Sequence, residues 1–193
     1  MAQEIEFDPA RMRALALYVC RRCSRFQRFG TTKLNTILWY ADFEHYRRFD
    51  RAITGATYVR QPDGPVAREL SATLHDLVAG HLLELVTAAH GSAEQRYRAP
   101  SEPDLARFDG NAIAIVDRSI ARFGSSSAPR ASADVREFLG WNLVENDEPI
   151  PYETALLGWR NPKKPRDASH IKSAGWHDTS SWPRIPLTAP LDI

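Results

Sequence analysis

The chain has 193 residues, and its 25 Lys and Arg residues nearly balance its 24 Asp and Glu residues, for a formal net charge of +1. This balance excludes the strongly charged character that would point to nucleic acid, a membrane surface or acidic substrates. The length fits one domain of about 150 residues, which can fold without disulfides or metals, followed by a tail. No apolar run approaches the ~20 residues of a membrane span. The start, MAQEIEFDPA, lacks signal-peptide features, so a cytoplasmic location is expected.

The first helix is predicted to begin at Asp8-Pro9, because Asp can accept from free backbone N–H groups and Pro suits the first helical position. It should run to about Phe26. Its buried stripe consists of Met12, Leu15, Ala16, Val19, Cys23 and Phe26. Its remaining surface carries Arg11, Arg13, Arg21, Arg22, Arg25 and Arg28. These arginines form either a nucleic-acid patch or a solvated face paired with acids elsewhere, and the near-zero net charge favours the second interpretation.

Cys20 and Cys23 are spaced as C-x-x-C within this predicted helix. A redox or zinc site would need a preceding strand or a second cysteine pair, and the sequence offers neither. Small apolar packing is therefore the better interpretation of both thiols. No metal site and no cofactor are predicted.

The central helix should follow a short turn at Phe29-Gly30, with Thr31 or Thr32 as its cap. One of its faces carries Leu34, Ile37, Leu38, Ala41 and His45. The nearly opposite face carries Trp39, Phe43 and Tyr46. A helix that is apolar on two sides is either sandwiched inside a domain or used on one side for a partner. Sandwiching is the preferred prediction.

A β-hairpin over 56–66 is predicted next. Thr57, Tyr58 and Val59 favour a strand, and Pro62-Asp63-Gly64 supplies the turn, since Pro fixes one φ angle and Gly provides a positive one. Pro65 has no backbone N–H to donate to a neighbouring strand. The returning strand should therefore be an edge strand or end almost at once.

Shorter elements fill the rest of the chain. A third helix is predicted over 67–79, ending at Gly80, and two strands over 81–87 and 94–99 should pair across a loop. A fourth helix, capped by Asp109 or Asn111, should run to about Phe123. Two further short helices are predicted over 133–139 and 151–157, with Trp141 as an anchor between them.

These elements predict an α+β fold that is predominantly α-helical, a compact single domain with two short β-hairpins and an extended C-terminal tail. The predicted domain covers 8–158. The stretch 159–193 is rich in Pro, Ser and charged residues and lacks an apolar period, which is typical of an extended or disordered tail. Within it Ile171, Trp176 and Trp182 are unusual for a simple spacer and could dock on the domain or form a recognition motif.

Three segments in a fixed order resemble the Panacea domain, the SocA-like antitoxin family of bacterial and phage toxin–antitoxin systems. They are KLNTILWYADFEHYRR, which starts at Lys33, then ITGATYVRQPDGPVARE, and later IPYETALL. The resemblance covers roughly residues 10 to 158. It implies a mostly helical fold and a neutralising protein that binds a toxin encoded by a neighbouring gene. In some members it implies delivery of the toxin to a protease such as ClpXP.

Two other function classes compete with toxin binding. An enzyme would use Asp42, His45 and Tyr46, which share part of the central helix surface. A histidine inside an apolar stripe is more often a core residue with one satisfied hydrogen bond, so no catalytic residue is predicted. A DNA-binding regulator would use the arginines of the first helix, and nucleic acid is not the expected partner.

The partner-binding surface is predicted on the hairpin and the aromatic face of the central helix. Aromatic and Arg side chains carry much of the binding energy at interfaces, and a turn held in one shape binds with little ordering cost. The predicted contact residues are Trp39, Phe43, Tyr46, Tyr58, Arg60, Asp63, Gly64 and Pro65.

Overall fold

A computed structural model describes residues 5–26, 29–86 and 96–159. Of the tail predicted over 159–193, residues 160–193, with Ile171, Trp176 and Trp182, lie outside the described residues. Those described residues form five α-helices, two short 3₁₀ helices and two antiparallel two-stranded sheets. The predicted α+β, mostly helical fold is therefore confirmed.

Helix α1 spans Pro9–Cys23 and begins as predicted. The Asp8 side chain accepts from the Arg11 backbone N–H at 3.0 Å, and Pro9 occupies the first helical turn. The helix ends at Cys23, before the predicted Phe26. The face buried against the rest of the domain contains Met12, Leu15, Ala16, Tyr18, Val19, Cys20 and Cys23.

Helix α2 spans Thr31–Phe49 and is the centre of the fold. Every residue from Lys33 to Tyr46 is buried, which confirms that the helix is sandwiched. The predicted threonine cap is wrong, because the helix begins at Thr31 itself and Gly30 takes the cap position without a side-chain hydrogen bond. The helical wheel shows apolar residues on two sides of this helix, and that pattern correctly predicts that both sides are buried.

Strands β1 (Tyr58–Gln61) and β2 (Gly64–Ala67) form the predicted hairpin, with Arg60 opposite Pro65. The other edge of β1 pairs with the segment 147–150, an association that the sequence did not reveal. Arg60 N–H donates to the Glu148 carbonyl at 3.0 Å, and Ile150 N–H donates to the Tyr58 carbonyl at 2.8 Å. Strand β1 is therefore covered on both edges, and β2 is the edge strand, as Pro65 predicts.

Helix α3 (Leu70–Ala79) leads to strands β3 (Glu84–Val86) and β4 (Arg96–Arg98), which pair in antiparallel fashion and confirm the second predicted hairpin. Helix α3 starts three residues later than predicted, since 67–69 belong to β2 and the turn after it. The Leu70, Leu74 and Leu77 side chains are buried as expected.

Helix α4 spans Gly110–Phe123, and its cap is Asp109, whose carboxylate accepts from Ala112 N–H at 2.8 Å. Helix α5 spans Ala128–Arg136, so it starts five residues and ends three residues earlier than predicted. Its N-terminus has two common helix-start signals, a Ser at the cap position and a Pro in the first turn. The Ser127 hydroxyl accepts a hydrogen bond from Arg130 N–H. The Ser127 cap lies in the Gly- and Ser-rich stretch 124–127, before the predicted start of this helix.

The first 3₁₀ helix spans Leu139–Leu143 and contains the buried anchor Trp141. The second spans Tyr152–Leu157 and corresponds to the last predicted helix. Beyond it, Trp159 forms an isolated antiparallel bridge with Phe138, so packing continues at least to this residue. No helix within the described residues is long and apolar enough to cross a membrane.

Candidate partner-binding surface

The four aromatic residues of the predicted surface lie in the core. Trp39 and Tyr58 are 1% exposed, Phe43 is 4% exposed and Tyr46 is 8% exposed. The Phe43 ring stacks on Tyr152 at 4.7 Å between centroids. A helical wheel cannot distinguish aromatics that face a partner from aromatics that face the protein's own hairpin. Of the predicted set, only Asp63 is exposed and Arg60 is half-buried.

Arg60 fastens the hairpin to the first 3₁₀ helix. Its Nη1 donates to the carbonyl oxygens of Trp141 at 3.0 Å and Val144 at 2.5 Å, and its guanidinium lies over the Trp141 ring. Its Nε atom is buried and has no hydrogen-bond partner among the described residues. Arg60 is half-buried, and its contacts with Trp141 and Val144 hold the hairpin against the first 3₁₀ helix.

The hairpin tip is held against helix α5 through its backbone. The Ser132 hydroxyl donates to the Asp63 carbonyl at 2.5 Å, and Arg136 donates to the Pro62 carbonyl at 2.9 Å. Gly64 has φ 139, a backbone conformation that favours glycine, and Gly64 and Pro65 are both buried. The Asp63 side chain remains exposed. The tip is thus a rigid turn that presents one carboxylate to solvent.

Further carboxylates lie beside this tip. Strand β1 pairs with 147–150, and the exposed stretch 145–148, which overlaps this segment, contains Glu145, Asp147 and Glu148. Gln61 Nε2 donates to the Asp147 carboxylate at 2.5 Å, which joins the two chain segments. The sequence does not predict that Glu145, Asp147 and Glu148 lie beside the hairpin. The acidic run Glu-Asn-Asp-Glu was visible, but nothing local connects it to a strand more than eighty residues earlier.

Asp42, the acid of the proposed catalytic cluster, is fully buried and accepts four hydrogen bonds. The donors are Ile53 N–H at 2.7 Å, Thr54 N–H at 2.7 Å, the Thr54 hydroxyl, and the Tyr58 hydroxyl at 2.7 Å. Burial raises the pKa of Asp42, although these hydrogen bonds oppose the rise. Burial and the nearby Asp42 charge also raise the pKa of Tyr58. This carboxylate joins helix α2 to the chain before β1.

His45 and Asp42 use different neighbours and do not converge on a common site. His45 is 3% exposed, and its Nδ1 lies 2.5 Å from the Arg51 carbonyl oxygen, so this nitrogen carries the proton and donates. Its Nε2 is buried without a hydrogen-bond partner among the described residues. The interpretation of His45 as a core residue with one satisfied hydrogen bond is confirmed.

Two arginines of the α1 face, Arg21 and Arg22, pair with acids elsewhere, as expected for a solvated face. Arg21 Nε lies 2.5 Å from the Glu102 carboxylate, and Arg22 lies 3.6 Å from Asp117.

Cys20 and Cys23 are buried free thiols. Burial raises the pKa of both thiols, that of Cys23 to about 12, so neither is a thiolate near neutral pH. The described residues contain no group of three or more His, Cys, Asp or Glu side chains that could hold a metal.

Comparison with models of protein families gives a match. The family model described as "Antitoxin SocA-like, Panacea domain" matches residues 34–142, more than half of the chain. The matched range begins in the buried part of α2 and includes the hairpin, α3, α4, α5 and Trp141. Searches of curated proteins and of solved structures each found no match. With its core helix and hairpin inside the matched range, the chain belongs to the SocA-like antitoxin family with a Panacea domain.

Proposed function

We propose that this protein is an antitoxin that neutralises a toxin encoded by a neighbouring gene through direct protein–protein binding in the cytoplasm. The observation that carries the proposal is the family match over residues 34–142. Delivery of the bound toxin to a protease such as ClpXP is a second route to the same outcome. Both routes require the same first step, a stable complex with the toxin.

The exposed part of the hairpin is the proposed toxin-binding surface. Asp63 and Pro62 are exposed at a tip that Ser132 and Arg136 fix through its backbone, so binding would cost little ordering. The neighbouring carboxylates of Asp147 and Glu148 add negative charge, which favours a basic patch on the toxin. The buried aromatic residues support this surface from below and do not contact the partner.

The test is co-expression of the neighbouring gene product with three forms of this chain. The wild-type chain should restore growth and co-purify with the toxin. Asp63→Lys should weaken the complex by about 2 kcal/mol or more if Asp63 is a binding hot spot, with loss of rescue at equal protein level. Asp76→Lys makes the same charge change at an exposed position of α3 and should behave as wild type.

Two results would contradict the proposal or part of it. A neighbouring product that is harmless alone, or that never forms a complex with the wild-type chain, would contradict the antitoxin function. Equal rescue by Asp63→Lys and wild type would move the binding surface away from the hairpin. Repeating the rescue in cells without the protease separates the routes, because direct neutralisation persists there and adaptor-dependent neutralisation is lost.

A further inference from the structure

The segment 147–150 adds a third strand-like element to the hairpin. Val59 lies between two partners, because it pairs with Val66 of β2 on one side and forms an antiparallel bridge with Pro149 on the other. The hydrogen bonds of that bridge are made by the residues before and after Val59 and Pro149, so the proline needs no backbone N–H there. The hairpin and 147–150 therefore form a narrow three-stranded layer.

The two faces of this layer differ in exposure. Residues directly opposite each other in antiparallel strands project from the same face, and the next residue along each strand projects from the other face. The members of the inner face are 3% exposed or less; they are Tyr58, Ala67 and Ile150. The outer face carries Val66, Val59 and Pro149 side by side, and we call these three residues the apolar row. Val66 is 36% exposed and Pro149 is exposed, although the solvent face of such a sheet is usually polar.

A carboxylate borders the apolar row at the end nearer the hairpin tip. Gln61 follows Val59 by two residues, so it projects from the same face, and its Nε2 donates to the Asp147 carboxylate at 2.5 Å. Asp147 N–H donates to the Arg60 carbonyl at 2.8 Å, and Arg60 N–H donates to the Glu148 carbonyl at 3.0 Å. Two residues thus oppose one in a β-bulge, and Asp147 has φ 68, which aspartate tolerates. The exposed Asp147 carboxylate is therefore held beside the row.

The charge at this end of the layer is negative. Its exposed carboxylates are those of Asp63, Glu145, Asp147 and Glu148. Arg60 and Arg136, which also lie near the tip, donate to backbone carbonyls, and the four carboxylates outnumber them. The exposed cation Arg68 lies toward the opposite end, two residues beyond Val66. An apolar row with an acidic end is complementary to a basic partner, and it repels the phosphates of nucleic acid.

We propose that the apolar row and Asp147 form the centre of the toxin-binding surface, and that they bind a toxin segment in which an apolar side chain stands next to Lys or Arg. This inference rests on the proposed function and extends its surface from the hairpin tip to the outer face of the layer. Burial of the row supplies apolar contact at the centre of the interface. Asp147 and Asp63 accept charge-assisted hydrogen bonds that orient the segment. The layer is held by backbone pairing before binding, so little ordering is needed.

The test measures contact in the full-length protein co-expressed with the neighbouring gene product. An aliphatic amino acid bearing a photoreactive diazirine in place of Val66 should crosslink to the co-expressed toxin. The same amino acid in place of Leu85 on β3, which is 51% exposed, should not. Val66→Lys should lower the affinity for the purified toxin at least about tenfold, because it places a cation against a basic segment. Leu85→Lys is the matched control and should bind as wild type.

Two conservative variants cover the case in which Val66→Lys does not fold. Val66→Thr keeps the branched shape and the strand preference of the side chain but makes it polar, and it should weaken binding several-fold. Asp147→Asn keeps a residue that tolerates a positive φ and removes the charge, so it should weaken binding and make it less sensitive to salt. Asp76→Asn, at an exposed position of α3, is its control. Both conservative variants should melt close to the wild type.

Three results would overturn this assignment and leave the antitoxin function intact, because in each of them the wild-type chain still neutralises the toxin. They are equal crosslinking from positions 66 and 85, wild-type affinity in both Val66→Thr and Asp147→Asn, and dimerisation of the chain through the apolar row. A neighbouring product that the wild-type chain neither binds nor neutralises would contradict the proposed function itself, and this inference with it.

Discussion

Lys33, a cation that is 1% exposed, shows how single buried polar residues hold this fold together. Its Nζ donates to the carbonyls of Gly124 at 3.2 Å and Ser126 at 3.0 Å, and it lies over the Phe29 ring. These carbonyls directly follow α4, where a cation is favourable because the helix end carries partial negative charge. The sequence shows the lysine but not its use, because its acceptors lie ninety residues further along the chain.

The buried carboxyl group of Glu44 should make the stability of the fold depend on pH. Burial alone would raise the pKa of Glu44, but the hydrogen bonds and charges of Arg47 and Arg48 outweigh burial and lower it. A carboxyl whose pKa is lower in the folded state contributes stability above its unfolded value, about 4.3, and loses that contribution as the pH falls through the folded value. The melting temperature of the wild type should therefore fall more steeply below about pH 4.3 than that of Glu44→Gln.

The matched control is Glu102→Gln, whose carboxylate side chain is 76% exposed. Exposed ion pairs contribute little, so this variant should keep the steep acid dependence of the wild type. Parallel acid curves for the wild type and Glu44→Gln would show that the arginine pairs at Glu44 do not stabilise the folded state.

At the scale of elements, long periodic segments and strong cap signals were predicted well. The existence of α1, α2, α4 and both hairpins follows from the hydrophobic period and from Asp8, Asp109 and the Pro-Asp-Gly turn. The candidate site was predicted less completely. The sequence predicts a partner surface at aromatic residues that are buried in the structure, because their cover, the hairpin and Tyr152, comes from other parts of the chain. The pairing of β1 with 147–150 is likewise a long-range contact without a local signal.

The attachment of the hairpin can be measured through Arg60. Arg60→Ala removes two hydrogen bonds to the carbonyls of Trp141 and Val144 and the contact with the Trp141 ring. We expect it to lower the free energy of unfolding by roughly 1.5–3 kcal/mol in chemical denaturation, because hydrogen bonds from charged donors are strong. Arg68→Ala, at an exposed position just after the same hairpin, should change it by less than about 0.5 kcal/mol. Equal effects would mean that Arg60 is not an anchor.

At the scale of the whole molecule, a net charge of +1 conceals an uneven distribution. Carboxylates collect beside the hairpin tip, and arginines collect where α2 meets α4. Composition alone excludes a globally charged protein, but it cannot exclude two opposite local surfaces. Each surface combines residues from distant parts of the chain, so only the folded structure brings its members together.

The division between domain and tail was predicted at residue 158, and Trp159 allows a sharp test of that boundary. The Trp159 ring packs against Trp39 at 5.8 Å, Tyr40 at 5.6 Å and Phe138 at 5.5 Å between centroids. We propose that the boundary lies directly after Trp159. A chain that ends at Trp159 should melt close to the full-length protein, since composition predicts little buried apolar surface beyond it.

A chain that ends at Gly158 should be less stable by roughly 1–3 kcal/mol, because it loses a half-buried aromatic side chain and the bridge to Phe138. Trp159→Ala in the full-length chain is the matched control and should reproduce most of this loss, since it removes the ring but keeps the backbone. If the chain that ends at Trp159 melts as early as the one that ends at Gly158, residues after 159 also stabilise the domain. The predicted separation of domain and tail would then be wrong, and Trp176 and Trp182 would be the first positions to substitute.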